Sequence, residues 1–161
     1  MNIRYQAALI CVKDMQVSRA FYEKVLGQKV EYDFGQDVVF HGGFAIHDAD
    51  HFSRLLFHSP SSNIINQPGQ VTHELGFECD DVDGLFFRLT EHGVRFLHPV
   101  QQQPWGQRVF RCYDPDNHII EIGEPMSEVI KRYLKAGLSA EEIVKKTSMP
   151  LAEIKKVKAE C

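Results

Sequence analysis

The sequence predicts an α+β protein of two βαβββ modules with a short helical extension, and three observations carry that expectation. A strand–helix–glycine unit near the start recurs about 67 residues later; each copy is followed by three short strand-like runs; and the pattern after residue 126 changes to helical periodicity only. The modules span about residues 3–58 and 70–125, within a domain of residues 1–126, and the extension covers 127–161.

In the first module, Tyr5 to Val12 is a continuous apolar run of strand length. Val17, Ala20, Phe21 and Val25 then recur at steps of three and four, a helical stripe that Gly27 ends. Gln28 to Phe34, Asp37 to His41 and Gly43 to His47 read as strands separated by Gly35 and Gly42-Gly43. Asp48 to Pro68 reads as a linker containing a short helical or strand-like segment. The second module restarts with His73 to Cys79, followed by the stripe Val82, Leu85, Phe86, Leu89 and the terminator Gly93. Val94 to Val100, Gln107 to Tyr113 and His118 to Ile122 supply its remaining strands. The last two form a hairpin around Asp114-Pro115-Asp116-Asn117, where proline presets one backbone angle and Asp and Asn tolerate turn conformations. Asp14, Asp80 and Asp81 stand where helix N-caps belong.

The extension holds three helices. Val129, Ile130, Tyr133 and Leu134 form the first stripe, Ser139 to Glu142 is a capping box opening the second, and Pro150 opens the third. Their order suggests a helix-turn-helix. The last helix offers Lys155, Lys156 and Lys158 but no Arg, Asn or Gln for base edges, so dimer or lid packing is the favoured reading and a DNA-linked sensor the lesser one.

At 161 residues and 43% apolar content the chain can bury a substantial core. The extension carries eight Lys or Arg against five Glu, leaving the rest at −7, which gives the main body no general attraction for nucleic acid. No apolar run approaches a membrane span, and the expected compartment is the cytoplasm. Cys11, Cys79, Cys112 and Cys161 are widely spaced and expected as free thiols. Neither a nucleophile elbow, a P-loop nor a GxGxxG motif occurs.

Two strands carry unexpected charge. Glu121 lies between Ile120 and Ile122, and Glu74 and Glu78 alternate with Leu75 and Phe77, so each carboxylate occupies the face opposite an apolar one. Trp105 beside Arg108 could grip an anionic ligand or cap the core, and Arg108 or Arg111 could hold the carboxylates.

With Asp14, Phe21-Tyr22, Leu26-Gly27, Phe77 to Asp81 and Asp114 to Glu121 in place, residues 3–125 resemble the vicinal oxygen chelate superfamily: glyoxalases, bleomycin and fosfomycin resistance proteins, and extradiol dioxygenases. The resemblance implies curved sheets around a cleft, a homodimer and a small oxygen-rich ligand. It further implies a divalent metal (Ni, Zn, Mn, Fe or Co) at positions falling on Ala7, His47, Glu74 and Glu121. Ala7 has no donor, leaving His47, Glu74 and Glu121 as the candidate metal set, Glu74 and Glu121 as candidate catalytic residues of a lyase or isomerase, and Trp105, Arg108 and Arg111 as candidate substrate contacts. The alternative is a non-catalytic binding or sequestering protein without a metal.

Overall fold

A computed structural model describes residues 4–58 and 73–160. Its contacts divide into two units, residues 1–73 with Tyr113–His118, and Glu74–Cys112 with Ile119–Cys161. The extension therefore groups with the second module. Residues 59–72, which include the second part of the 48–68 linker, and Cys161 fall outside the described residues.

The first unit contains β1 (Ala8–Val12), α1 (Met15–Ala20), β2 (Val30–Asp33), β3 (Asp37–Phe40), β4 (Phe44–Asp48) and α2 (Ala49–Phe57). Asp14 caps α1 by accepting the Gln16 and Val17 N–H groups at 2.9 and 3.0 Å. The helix then widens into a π-helical segment, Phe21–Val25, whose last turn closes through Leu26 N–H to Phe21 C=O. This segment buries Phe21 and Tyr22. Tyr22 packs on Phe40 and Phe44 at ring separations of 5.6 and 5.3 Å. The strand order is β1-β4-β3-β2, with β1 parallel to β4 and the other pairs antiparallel.

The linker segment resolves as α2, nine residues capped by Asp48. It buries His47, whose Nε2 lies 2.7 Å from His51 Nδ1 while its ring also meets Phe52. Cys11 is buried, and desolvation with the nearby Asp48 carboxylate pushes its thiol up to about 11, the inert state expected of a core cysteine.

The turn Tyr113–His118 closes this unit through buried polar contacts. Asp114 accepts from Tyr22 Oη–H at 2.8 Å and from the Asp116 and His118 N–H groups, and lies 2.8 Å from His118 Nδ1. Asp116 accepts from Ser18 Oγ–H and Lys13 N–H. Asn117 takes the left-handed conformation, φ 68°, that its short polar side chain tolerates.

The second unit repeats the plan with β5 (Glu74–Glu78), α3 (Val82–Glu91), β6 (Phe96–Gln102), β7 (Arg108–Tyr113) and β8 (Ile119–Gly123), in the order β5-β8-β7-β6. Asp81 caps α3. Phe86, Phe96 and Phe110 form its aromatic core.

Three helices follow, α4 (Met126–Lys135), α5 (Ala140–Thr147) and α6 (Leu151–Ala159), around Ile130, Ile143, Ile154 and Val157. The Ser139–Glu142 capping box forms, and Ser148 turns the chain between α5 and α6 at φ 59°. A buried carboxylate joins the helices to the module. Glu124 accepts from Arg132 at 2.7 and 3.0 Å and from Arg108 N–H at 2.9 Å, while Arg132 also donates to Gly106 C=O. Gly106 has φ 95°, and a Cβ there would collide with the Tyr133 hydroxyl, so the glycine serves both the turn and the docking of α4. No described helix is long and apolar enough to cross a membrane.

Candidate functional site

The site follows from strand register. Asp14 and Asp81 cap equivalent helices, and counting back five residues from each makes Leu9 of β1 the counterpart of Gly76 of β5. Leu9 pairs with Ala45, and Gly76 pairs with Glu121. Ala45 is therefore the first-module counterpart of Glu121, and the expected match of His47 to Glu121 is corrected by two residues. The correction has a physical basis: parallel pairing of β1 with β4 is fixed by backbone hydrogen bonds, whereas aligning Ala45-Ile46-His47 with Ile119-Ile120-Glu121 relied on side-chain pattern, which repeats every two residues. Counting back seven residues pairs Ala7 with Glu74, as the sequence suggested.

The hairpin extends the row. Asp114 N–H bonds to His118 C=O at one end and Glu124 N–H to Arg108 C=O at the other, which places Arg111 opposite Glu121. On the next strand Arg111 pairs with His98, after a bulge between Phe96 and His98. That extra residue turns His98 away from the face that Phe96 shares with the core and onto the Arg111 face. The first module has the same irregularity between Val30 and Tyr32, where Tyr32 pairs with Val39 and Val39 with Ala45. Across four strands, Leu9, Ala45, Val39 and Tyr32 in one module thus correspond to Gly76, Glu121, Arg111 and His98 in the other.

The second-module row is charged and connected. Arg111 Nε donates to Glu74 at 2.9 Å, its Nη2 pairs with Glu121, and its Nη1 lies 3.3 Å from His98 Nε2. Its hydrogen bond to Glu74 first, reinforced by the charge of Glu121, holds the guanidinium above its ordinary value, so it is cationic at any working pH. Glu74 is 43% exposed at its side chain, against 20% for Glu121 and 21% for Arg111. Gln101, 3.4 Å from the His98 ring, adds a polar edge. Two carboxylates and one guanidinium leave a net charge of −1 with donors and acceptors side by side, a surface suited to hydroxyl and carbonyl groups.

The other candidates lie elsewhere. Arg108 is three residues from Arg111 and so faces the opposite side of β7, where it forms a two-pronged ion pair with Asp83 of α3 at 2.7 and 2.8 Å. Trp105 occupies the β6–β7 turn, is 36% exposed and donates Nε1–H to Gln107. The structure therefore separates the expected trio of substrate contacts and keeps only Arg111 with the carboxylates. His98, which is not among the expected site residues, joins them; the 67-residue repeat alone would match it to Glu31, and only the bulged strand register places it at the position of Tyr32.

His47 belongs to the first unit and is 5% exposed. Its Nδ1 has no hydrogen bond and faces Asp37 Oδ1, likewise unbonded, at 3.8 Å. Desolvation holds the ring below the usual histidine range, with Asp37 opposing that shift and His51 adding to it.

The residues at the superfamily's metal positions do not fit a metal as they stand. Two of the four, Ala7 and Ala45, carry no donor, and the other two are engaged by Arg111. Among the described residues no group of three or more His, Cys, Asp or Glu side chains is poised to hold a metal ion.

Comparison with known proteins agrees with the repeat. Residues 5–127 match the model of the glyoxalase-like domain. The match ends two residues into α4, leaving α5 and α6 outside it. A crystal structure of a protein of unknown function from Agrobacterium tumefaciens str. C58 is 39% identical, with a TM-score of 0.70 over 78% of this chain and 96% of that one. A lactoylglutathione lyase from Agrobacterium tumefaciens is 25% identical, with a TM-score of 0.55 over 75% and 92%. The fosfomycin resistance protein FosX from Listeria monocytogenes shares the fold at 20% identity, with a TM-score of 0.58 over 80% and 98%. No curated protein matches the chain. The capped repeat, the two four-stranded sheets and these matches place the chain in the glyoxalase-like domain family of the vicinal oxygen chelate superfamily.

Proposed function

We propose that the protein binds a small oxygen-rich molecule on the charged face of its second module, using Glu74, Arg111, Glu121 and His98 rather than a bound metal. The observation that carries this reading is the matched set itself: where the second module has Glu74, Glu121, Arg111 and His98 the first has Ala7, Ala45, Val39 and Tyr32, so the charged set is not a requirement of the architecture. The carboxylates accept hydroxyl protons, and Arg111 and Gln101 donate to carbonyl or hydroxyl oxygens.

Lyase or isomerase chemistry is the second reading, favoured by the likeness to a lactoylglutathione lyase and by the exposure of Glu74. Of the two carboxylates, Glu74 is the more open to a proton on a bound α-hydroxy carbonyl and is the candidate general base.

The test is calorimetric titration of dihydroxyacetone and S-lactoylglutathione into the full chain and into Glu121→Gln and Glu74→Gln. Saturable binding weakened in both variants supports the reading. Failure of both compounds to bind, or equal binding by all three proteins, sinks it. Turnover of a bound compound that disappears in Glu74→Gln while binding persists selects the enzyme.

A further inference from the structure

The charged row contains an arrangement that ligand binding alone does not explain. Glu74 from β5, Glu121 from β8 and His98 from β6 converge on one guanidinium supplied by β7. Each contacts a different nitrogen: Nε meets Glu74, Nη2 meets Glu121 and Nη1 meets His98 Nε2. Two carboxylates and an imidazole directed at one cationic centre form a donor set of the type that binds divalent transition ions. Here the cation is covalently part of the chain. A guanidinium is planar and wide, so its three nitrogens hold the donors around its perimeter instead of drawing them to a single point.

We propose that Arg111 is the resident cation of this site, occupying the point on which Glu74, Glu121 and His98 converge and closing it to divalent metals. This rests on the reading of that face as the ligand site. Two independent features point the same way. At the matched position the first module has Val39, opposite Ala45, so neither partner of the ion pair is needed for the strands to pair. Arg111 is also distinct from the arginines that serve as clasps: Arg108 holds Asp83 on the helix side of the sheet, and Arg132 holds Glu124 at the root of α4.

The experiment is Co²⁺ binding by equilibrium dialysis and visible absorption, with the full chain, Arg111→Ala, Arg111→Met and the double variant Arg111→Ala/Glu121→Gln. Arg111→Met keeps an unbranched stem on the sheet, and far-UV circular dichroism establishes folding. The expected result is no stoichiometric Co²⁺ on the parent, about one Co²⁺ per chain on either single variant, and loss of that site in the double variant. Stoichiometric binding by the parent that Glu121→Gln removes would show that Arg111 yields to a metal and would overturn the proposal. Folded single variants that bind no Co²⁺ overturn it as well. Unfolding of both single variants does the same, because it makes Arg111 a structural residue. The readout is independent of any organic ligand, so a failed titration with dihydroxyacetone leaves it standing, and the reverse holds.

Discussion

The two units share a plan but place their charges differently. In the first unit, ionisable groups are inside: Asp114 and Asp116, supplied by the hairpin turn of the second repeat, are 4% and 3% exposed and hold Tyr22, Ser18, His118 and the Lys13 amide, while His47 is covered by α2. In the second unit, the matched charges lie on a sheet face with Glu74 open to solvent, and the buried carboxylate of Glu124 serves to anchor the added helices. One unit thus holds its polar clasps inside, while the matched row of the other carries a polar surface. The difference teaches that burial, not charge count, separates structural from candidate functional groups here. A buried acceptor with several donors is costly to remove, whereas an exposed ion pair contributes little.

That contrast breaks first if Asp114 proves dispensable. Asp114→Ala removes one acceptor from the Tyr22 hydroxyl, the His118 ring and two backbone N–H groups at once, all within a buried turn. The expected loss is about 3–5 kcal/mol in urea unfolding, since the partners stay behind without compensation. A loss below about 1 kcal/mol would mean that the turn is a wet surface loop and that the units do not differ as described.

Glu124→Ala comes next. Burial pushes this carboxyl up, yet the hydrogen bonds from Arg132 and Arg108 N–H outweigh that and hold it below the usual carboxylate range. Arg132 is 41% exposed and can turn to water, so the expected cost is about 1–3 kcal/mol, mostly from the Arg108 amide left unpaired. Limited proteolysis should then cut between residues 124 and 140 while the core of the second module stays protected.

His47 gives a smaller, pH-dependent effect. Its folded value lies below the ordinary 6.5 because burial disfavours the charged ring. On lowering the pH, the unfolded chain takes up this proton first. The contribution of His47 is therefore undiminished above pH 6.5 and is lost as pH falls from there through the lower folded value. Asp37, Asp48, His51 and Cys11 are the titratable groups around it. Thermal midpoints at pH 8, 6.5 and 5 should fall more steeply for the parent than for His47→Gln; parallel curves would mean that the ring is wet.

How much of this was legible depends on which interactions set each feature. The caps Asp14, Asp81 and Ser139, the terminators Gly27 and Gly93 and the alternation around Glu74 and Glu121 are local, and the sequence exposes them directly. Register is not local. The bulge that brings His98 beside Arg111 and the two-residue shift that moves the counterpart of Glu121 from His47 to Ala45 are fixed by pairing between distant strands. The separation of Arg108 from Arg111 was within reach, because residues three apart on a strand face opposite ways. The identity of the partner of Glu74 was less so: two arginines were available on β7, and only the sheet order selects one.

The gentlest test acts on the exposed row itself. Glu74→Gln keeps the shape of the side chain and one hydrogen bond to Arg111 while removing the charge, at a position 43% exposed. An ion pair so accessible to water contributes at most about 1 kcal/mol, and the expected change in unfolding free energy lies within that margin. Salt sharpens the result, because screening by roughly 1 M sodium chloride should remove most of the remaining difference between parent and variant. A loss comparable to that of Asp114→Ala would place Glu74 among the structural clasps and erase the contrast between the units. A small loss, combined with weakened ligand binding by the same variant, would leave Glu74 a residue whose charge stability does not require and whose use lies with the ligand.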